Sequence, residues 1–203
     1  MTWAITYACL TLVGGGGGLS FGATQGAPRG DKVRVEAEAV RPEVIHLAPR
    51  PDVHDRDCAA QGPQRGVLDW TSPLYRRIEV RKEKQLFEET AFLRESDVTV
   101  TVRIGGCAHY GAAYVVGYDD MAAEEDLPYH VGRALRIVTQ LAFREGAVTF
   151  LDRISPVLDR ERPGLKERGR CLFPVGDVSS VSCDVDRDET GRLRVEIVYD
   201  IAL

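Results

Sequence analysis

The sequence has 203 residues, of which 44% are hydrophobic and 28% are charged, and its formal net charge is −5 at pH 7. A chain of this length holds one domain with a sizeable core. The mildly acidic balance argues against general nucleic-acid binding, which needs a basic face, so we expect no nucleic-acid partner.

The first 22 residues contain no charged side chain; they are mostly apolar from Trp3 to Val13, and five glycines follow. This pattern predicts a secretory signal peptide, cleaved before Ala23, and therefore a periplasmic or extracellular protein. A membrane anchor is the alternative, but the apolar run is shorter than the ~20 residues of a spanning helix, so we expect no stable membrane span after cleavage. Lipid attachment at Cys9 is a further alternative, although Tyr7 stands where a small residue is needed.

Residues 23–66 are rich in proline and glycine and carry charges of both signs. Such a segment buries too little apolar surface to offset the entropy of ordering it, so we predict an extended or disordered segment. Within it, residues 32–40 alternate valine and alanine with charged side chains, which indicates either an edge strand or an extended linker. A single folded domain is predicted over 67–203.

Alternation of apolar and polar side chains with a period of two predicts the strands of this domain. The clearest example is 97–104, in which four aliphatic side chains face one way. Together the predicted strands are 74–80, 84–93, 97–104 and 112–118, followed at the end of the chain by a hairpin of 178–185 and 192–202.

Two helices are predicted between these strands. The segment 127–146 has apolar residues at three- and four-residue spacing, which is typical of an amphipathic helix. Pro128 suits the first turn of that helix, and Gly146 suits its C-terminal cap. A second helix is predicted over 147–154, ending near Pro156. We therefore expect a two-layer α+β fold, with an antiparallel sheet of about five strands, a helix pair on one face, and disulfide staples.

Without the leader, four cysteines remain: Cys58, Cys107, Cys171 and Cys183. An even number in an exported chain indicates two disulfides, with three possible connectivities. Cys171 and Cys183 flank the start of the terminal hairpin, so we predict that they pair. Cys58 then pairs with Cys107 and attaches the proline-rich segment to the sheet.

The stretch GGCAHYG, residues 105–111, leaves two other interpretations open. Residues two apart on a strand point the same way, so Cys107 and His109 are a candidate catalytic thiol–imidazole pair. His54, Cys58, Cys107 and His109 are also a candidate zinc site, although C-x-H is an unusual half-site spacing. We favour the disulfide, in which case Cys107 is not a nucleophile, and we predict neither a metal nor a cofactor.

Residues 184–191 are similar to the start of a calcium-binding loop, because Asp184, Asp186 and Asp188 alternate as early EF-hand ligands do. Glu189 stands in place of the invariant glycine and Val195 in place of the bidentate glutamate, so we predict a polar hairpin turn instead. The sequence contains no other motif that we recognise for metal, phosphate or nucleophilic chemistry.

These features favour an exported binding module without enzymatic activity that recognises a protein partner. In size, export and stapling the chain is similar to small periplasmic inhibitor and immunity proteins, which is an analogy of architecture only. The predicted recognition residues are His109 and Tyr110, beside the glycine-flanked turn, and Asp119 and Asp120, in an acidic run that suits a basic partner. The alternative is a cell-envelope hydrolase that uses His109 or His130 with a carboxylate.

Overall fold

The computed structural model describes residues 40–50, 65–106, 109–120, 126–161, 165 and 170–202. These residues form one eight-stranded sheet and two helices, all within the compact unit Glu38–Leu203. In chain order the elements are β1 (Glu43–Leu47), β2 (Tyr75–Lys82), β3 (Leu86–Leu93), β4 (Thr99–Gly105), β5 (His109–Tyr118), α1 (Leu127–Thr139), α2 (Leu151–Glu161), β6 (Arg170–Val175), β7 (Ser179–Arg187) and β8 (Leu193–Ala202).

The strands lie in the order β1-β2-β3-β4-β5-β8-β7-β6. β1 runs parallel to β2, and every other neighbouring pair is antiparallel. After β5 the chain leaves the sheet, forms both helices, and returns at the far edge as β6. β5 and β8 therefore form the seam that joins the N-terminal strands to the C-terminal ones.

Alternate strand residues are apolar and line the face of the sheet that the helices cover. In β4, for instance, Val100, Val102 and Ile104 are all buried. α1 contacts β5, β7 and β8, and α2 contacts β7. The hydroxyl of Tyr114 on β5 donates a hydrogen bond to the carbonyl of Thr149, just before α2. The core therefore lies between one face of the sheet and the helix pair, as expected for an α+β fold.

The sheet has eight strands, so the expected number of about five was wrong. The two strands that the alternation did not predict are the two edges, β1 and β6. β1 lies within the proline-rich segment 23–66, and β6 contains Pro174. Because an edge strand pairs on one side only, it tolerates proline and needs less apolar alternation than a central strand.

α1 begins at the predicted residue, Leu127. The side chain of Asp126 caps this helix by accepting a hydrogen bond from the backbone N–H of Tyr129, and Pro128 occupies the first turn. The helix ends at Thr139, well before its predicted end.

Tertiary hydrogen bonds explain the early end of α1. The backbone N–H of Asp69 donates to the carbonyl of Ala142 at 2.9 Å, and the N–H of Arg144 donates to the carbonyl of Val67 at 2.8 Å. These bonds hold residues 142–144 in an extended conformation, although their side-chain spacing continues the helical pattern.

The second helix is present but its limits were wrong. α2 spans Leu151–Glu161 rather than 147–154, and Pro156 lies inside it rather than ending it. Of the two helices in the described ranges, neither is long and apolar enough to cross a membrane.

Cys171 and Cys183 are bonded as predicted. The two residues lie directly opposite each other in β6 and β7, with their Cα atoms 4.9 Å apart. Cys183 is buried on the helix side of the sheet, so the bond fixes the edge strand β6 to the core. Cys58 and Cys107 lie outside the described residues, and their pairing stays a prediction.

Removing this bond, as Cys171→Ala/Cys183→Ala, is expected to lower the free energy of unfolding by about 2 kcal/mol. The bonded residues are 12 apart in sequence, and a cross-link over a loop of this size removes entropy from the unfolded chain. The low end of the usual range applies because the β6–β7 ladder holds the same residues together without the bond. Urea unfolding followed by circular dichroism measures the change. Equal stabilities, with the parent shown by mass spectrometry to be bonded, would contradict the expectation.

Candidate functional site

The face of the sheet opposite the helices is covered by none of the described helices or strands. We call it the open face. An antiparallel sheet commonly has one face on the core and the other in water, and the side chains here alternate accordingly. By strand register, the open face carries residues 43, 45 and 47 of β1, 77, 79 and 81 of β2, 86, 88, 90 and 92 of β3, 99, 101, 103 and 105 of β4, 111, 113, 115 and 117 of β5, 194, 196, 198 and 200 of β8, 180, 182, 184 and 186 of β7, and 170, 172 and 174 of β6.

Arginines dominate the open face on strands β2 to β4. Glu88 of β3 is 6% exposed and lies beneath two of them, together with Arg50, which follows β1. Arg50 Nη2 is 2.8 Å from Glu88 Oε1, Arg81 Nη1 is 2.6 Å from the same oxygen, and Arg103 Nε is 2.8 Å from Oε2. Burial alone raises the pKa of Glu88, but hydrogen bonds from Arg103 and Arg50 outweigh it and hold the pKa below its usual value. The carboxylate is therefore ionised, and the surface above it is formed by guanidinium groups.

This cluster predicts a measurable pH dependence of stability. A pKa lowered in the folded state means that Glu88 stabilises the protein above its unfolded-state pKa of about 4.3. That contribution is lost as the pH falls through the lower folded-state pKa. We expect the free energy of unfolding to fall more steeply from about pH 5 to about pH 3 for the parent than for Glu88→Gln. Urea unfolding at several pH values tests this, and parallel curves for the two proteins would contradict it.

Carboxylates dominate the open face on strands β7 and β8. Asp184 Oδ2 lies 3.2 Å from Arg170 Nε at the sheet edge. Asp186 Oδ1 lies 3.6 Å from the Nε of Arg194, whose Nη2 lies 3.1 Å from an oxygen of Glu196. Asp200 lies further along β8 on the same face. The open face is thus divided into an arginine-rich and a carboxylate-rich half.

Between the two halves runs β5, whose open-face residues are small: Gly111, Ala113, Val115 and Gly117. Across this strand Arg103 Nη1 approaches Glu196 Oε1 to 3.7 Å, which links the halves.

Two shallow depressions lie on the open face. One, of about 150 Å³, has Gly111 and Ala113 at its floor and Arg103 and Asp200 at its sides. The other, of about 400 Å³, lies over β6, β7 and β8. Val198 borders both, so the two depressions are adjacent.

The structure does not bring the four predicted recognition residues together. Tyr110 lies near the start of β5 and Asp119 just after its end, so they are at opposite ends of the strand. Tyr110 is partly buried on the helix side, with its ring centroid 6.3 Å from that of Phe150. His109 begins β5, but its side chain is outside the described part of the structure.

Arginines neutralise the two predicted aspartates. The Asp119 side chain is 75% exposed, and its Oδ1 lies 3.3 Å from Arg192 Nε. The Asp120 side chain is only 12% exposed and forms an ion pair with Arg133 of α1. Asp120 therefore attaches α1 to the end of β5, in addition to any role in recognition.

His130, the alternative catalytic histidine, lies inside the core. It is 0% exposed, and its Nδ1 is 3.2 Å from the hydroxyl of Tyr118. The ring of Tyr129 packs edge-on against it, with centroids 5.1 Å apart. This position gives the hydrolase hypothesis no support, because a general base must reach substrate. The hypothesis then depends on His109 and stays a prediction.

The zinc hypothesis stays a prediction for a different reason. His54, Cys58 and Cys107 lie outside the described residues, as does the side chain of His109. Elsewhere, in the part of the chain that the structure describes, no three His, Cys, Asp or Glu residues are grouped so as to hold a metal ion.

The end of the calcium-like stretch forms a hairpin turn, as predicted, whereas Asp184 and Asp186 lie in β7. Between β7 and β8, Asp188 Oδ1 accepts hydrogen bonds from the backbone N–H groups of Thr190 and Arg192 and from the Thr190 hydroxyl. The hydrogen bond from the Thr190 hydroxyl lowers the pKa of Asp188. This local bonding accounts for the polar residues without a metal.

Glu89 is a buried carboxylate that no motif in the sequence indicates. It is 1% exposed, and it accepts hydrogen bonds from the backbone N–H groups of Val67 at 2.6 Å and Leu68 at 3.1 Å and from Trp70 Nε1 at 2.5 Å. Burial raises the pKa of Glu89, while these donors oppose the shift. Every contact joins β3 to one loop, so the role of Glu89 is structural. The sequence indicates its burial only through position. Glu89 alternates with the apolar residues Phe87 and Ala91 and therefore lies with them on the buried side of β3.

The chain matched no family in a scan of protein-family models, and searches of curated proteins and of solved structures found no similar protein.

Proposed function

We propose that this protein is an exported binding module and that its open face recognises a protein partner. The observation that carries the proposal is the division of that face into an arginine-rich and a carboxylate-rich half on either side of a strand of small residues. Charges arranged in this way set the orientation and specificity of a partner more than the affinity. The small side chains of β5 allow the partner to approach the sheet closely.

Export is supported by the uncharged apolar leader and by the Cys171–Cys183 disulfide, which fits an oxidising compartment outside the cytoplasm. Recognition by a folded surface does not require a reactive group. His130, the candidate base of the alternative hydrolase, is buried and does not contribute to the open face.

Site-specific photo-crosslinking in living cells tests the proposal. The full chain, with its own leader, carries a photo-reactive phenylalanine in place of Val115, at the centre of the open face. The matched control carries the same residue in place of Arg153, whose side chain is 65% exposed on α2. We expect an adduct of one defined mass from position 115 and none of that mass from position 153. Equal adducts from both positions, or none from position 115, would overturn the proposal.

A further inference from the structure

We propose that the partner recognised by the open face is a second copy of this chain, in a two-fold symmetric dimer. This inference rests on the proposed function, since it names the partner of the same surface. In such a dimer both copies use the same patch, which must therefore be complementary to itself.

The strand order gives the open face a suitable symmetry. Consider a two-fold axis that lies between two facing sheets, parallel to the strands and above the boundary of β4 and β5. Rotation about this axis places β1 of one copy over β6 of the other, β2 over β7, β3 over β8 and β4 over β5. β2 and β3 of each copy therefore face the carboxylate-rich strands β7 and β8 of the other, and β4 faces the small residues of β5.

The charges of the two halves are opposite. The half formed by β2 to β4, together with Arg50, carries four arginines against two glutamates, a net charge of +2. The half formed by β7 and β8 carries four carboxylates against one arginine, a net charge of −3. At the edges the signs reverse, with Glu43 on β1 and Arg170 on β6; the rotation brings these edges together, with Arg170 opposite Ile45, one row away from Glu43.

Strand register makes the match more specific. Arg77 and Asp186 lie in the same row across the sheet, so the rotation places Arg77 opposite Asp186 of the second copy. Leu47 and Leu172 share another row, at the two edges of the sheet, and come opposite each other in the same way. Leu172 is 69% exposed, the largest exposure among the large hydrophobic residues that the structure describes. A second copy covers it.

The size of the face fits a dimer of standard type. Eight strands spaced about 4.8 Å apart span about 34 Å, and six or seven residues at about 3.3 Å each span about 20 Å. The open face is therefore about 700 Å² per copy, close to the roughly 800 Å² per partner of a specific interface. Facing sheets pack about 10 Å apart. The small residues of β5 allow the two copies to come this close at the centre of the interface.

A second copy fits this face better than a partner with a single sign of charge. A purely basic or purely acidic partner matches one half and is repelled by the other. The match is not complete, since Glu79 comes opposite Asp184, but each of these is ion-paired within its own copy, to Arg77 and Arg170. Because the charges stay partly hydrated and screened, the dimer should be weak and sensitive to salt.

Sedimentation velocity on the purified exported chain tests the inference. At about 25 mM NaCl we expect dimers, and at about 500 mM NaCl we expect the dissociation constant to rise at least about tenfold. Arg77→Glu/Arg103→Glu gives both halves of the open face a net negative charge, and Asp184→Lys/Asp186→Lys gives both halves a net positive charge. Each variant alone is expected to be monomeric, whereas an equimolar mixture of the two should form heterodimers. That recovery also shows that both variants are folded.

The matched control places charge reversals on the helix side of the molecule. Asp152→Lys/Arg153→Glu changes two side chains of α2 that are 77% and 65% exposed, and this variant should dimerise as the parent does. A parent chain that stays monomeric at about 100 μM and about 25 mM NaCl would overturn the inference. If position 115 still crosslinks to a different protein, the proposed function stands and only its partner is wrong. If position 115 yields no adduct, the proposed function fails as well.

Discussion

Glu89→Ala is expected to lower the free energy of unfolding by about 4 kcal/mol. The Glu89 carboxylate is almost fully buried and accepts three N–H hydrogen bonds, from Val67, Leu68 and Trp70. Removing it leaves these buried donors without a partner, and each such group costs about 1–3 kcal/mol, with less than full additivity. It also detaches residues 66–70 from β3. Urea unfolding followed by tryptophan fluorescence measures the loss, since Trp70 is itself one of the donors.

Two further variants separate the hydrogen bonds from the mere loss of a glutamate. Glu79→Ala on β2 removes a 26% exposed carboxylate paired with Arg77, and it should cost only about 0.5 kcal/mol. Glu89→Gln keeps the shape of the side chain, but its amide N–H₂ group faces N–H donors and cannot accept their hydrogen bonds. We therefore expect an intermediate loss of about 2 kcal/mol in the free energy of unfolding. If Glu89→Ala costs no more than Glu79→Ala, Glu89 does not anchor the loop.

Gly66 lies against the same carboxylate, which explains why glycine is needed there. A Cβ atom at this position would be 2.0 Å from Glu89 Oε1. The carboxylate cannot move aside without breaking the hydrogen bonds that hold it. A pair of residues 23 positions apart in the sequence thus acts as one structural unit.

The features that the sequence predicted well depend on neighbouring residues. The alternation in 97–104 is preserved in β4 because one face of this strand packs against the core and the other faces outward. The start of α1 was also predictable, since Asp126 caps the helix by bonding to a residue three positions away. Such signals need no knowledge of the rest of the fold.

The features that the sequence did not predict depend on distant residues. The end of α1 is set by hydrogen bonds to Val67 and Asp69, which no helical spacing can indicate. β1 is a strand because β2 offers it a free edge, although its own segment is rich in proline.

The candidate site illustrates the same limit. His109, Tyr110, Asp119 and Asp120 were grouped because they are close in sequence, yet His109 and Tyr110 begin the ten-residue strand β5, and Asp119 and Asp120 follow its other end. The open face instead combines residues from all eight strands and Arg50, and its charges face the same way only because of the strand register. A single sequence shows which residues alternate, but not which strands are neighbours.

Gly111→Ala is expected to lower the free energy of unfolding by about 3 kcal/mol or more. Gly111 lies in β5 beside β8, and a Cβ atom there would be 1.9 Å from the backbone carbonyl oxygen of Tyr199 and 3.2 Å from the Cα of Asp200. Backbone atoms cannot rotate away, so the methyl group must push β5 and β8 apart. This seam joins the two parts of the sheet, and the loss therefore spreads along the whole β5–β8 ladder.

Gly117→Ala is the matched control, because Gly117 lies on the same strand and the same face. Its Cβ would meet only the Thr99 hydroxyl oxygen, at 2.7 Å, and that side chain can turn aside. Gly117→Ala should therefore lower the free energy of unfolding by less than about 1 kcal/mol. Part of the cost is offset because alanine is more favourable than glycine in a strand. Urea unfolding of both variants, with hydrogen exchange of the β8 amides, distinguishes the two sites. We expect faster exchange in β8 only for Gly111→Ala, because only there is the seam forced open. Equal losses at the two positions would mean that the penalty comes from adding a side chain to β5 and not from the close approach of β8.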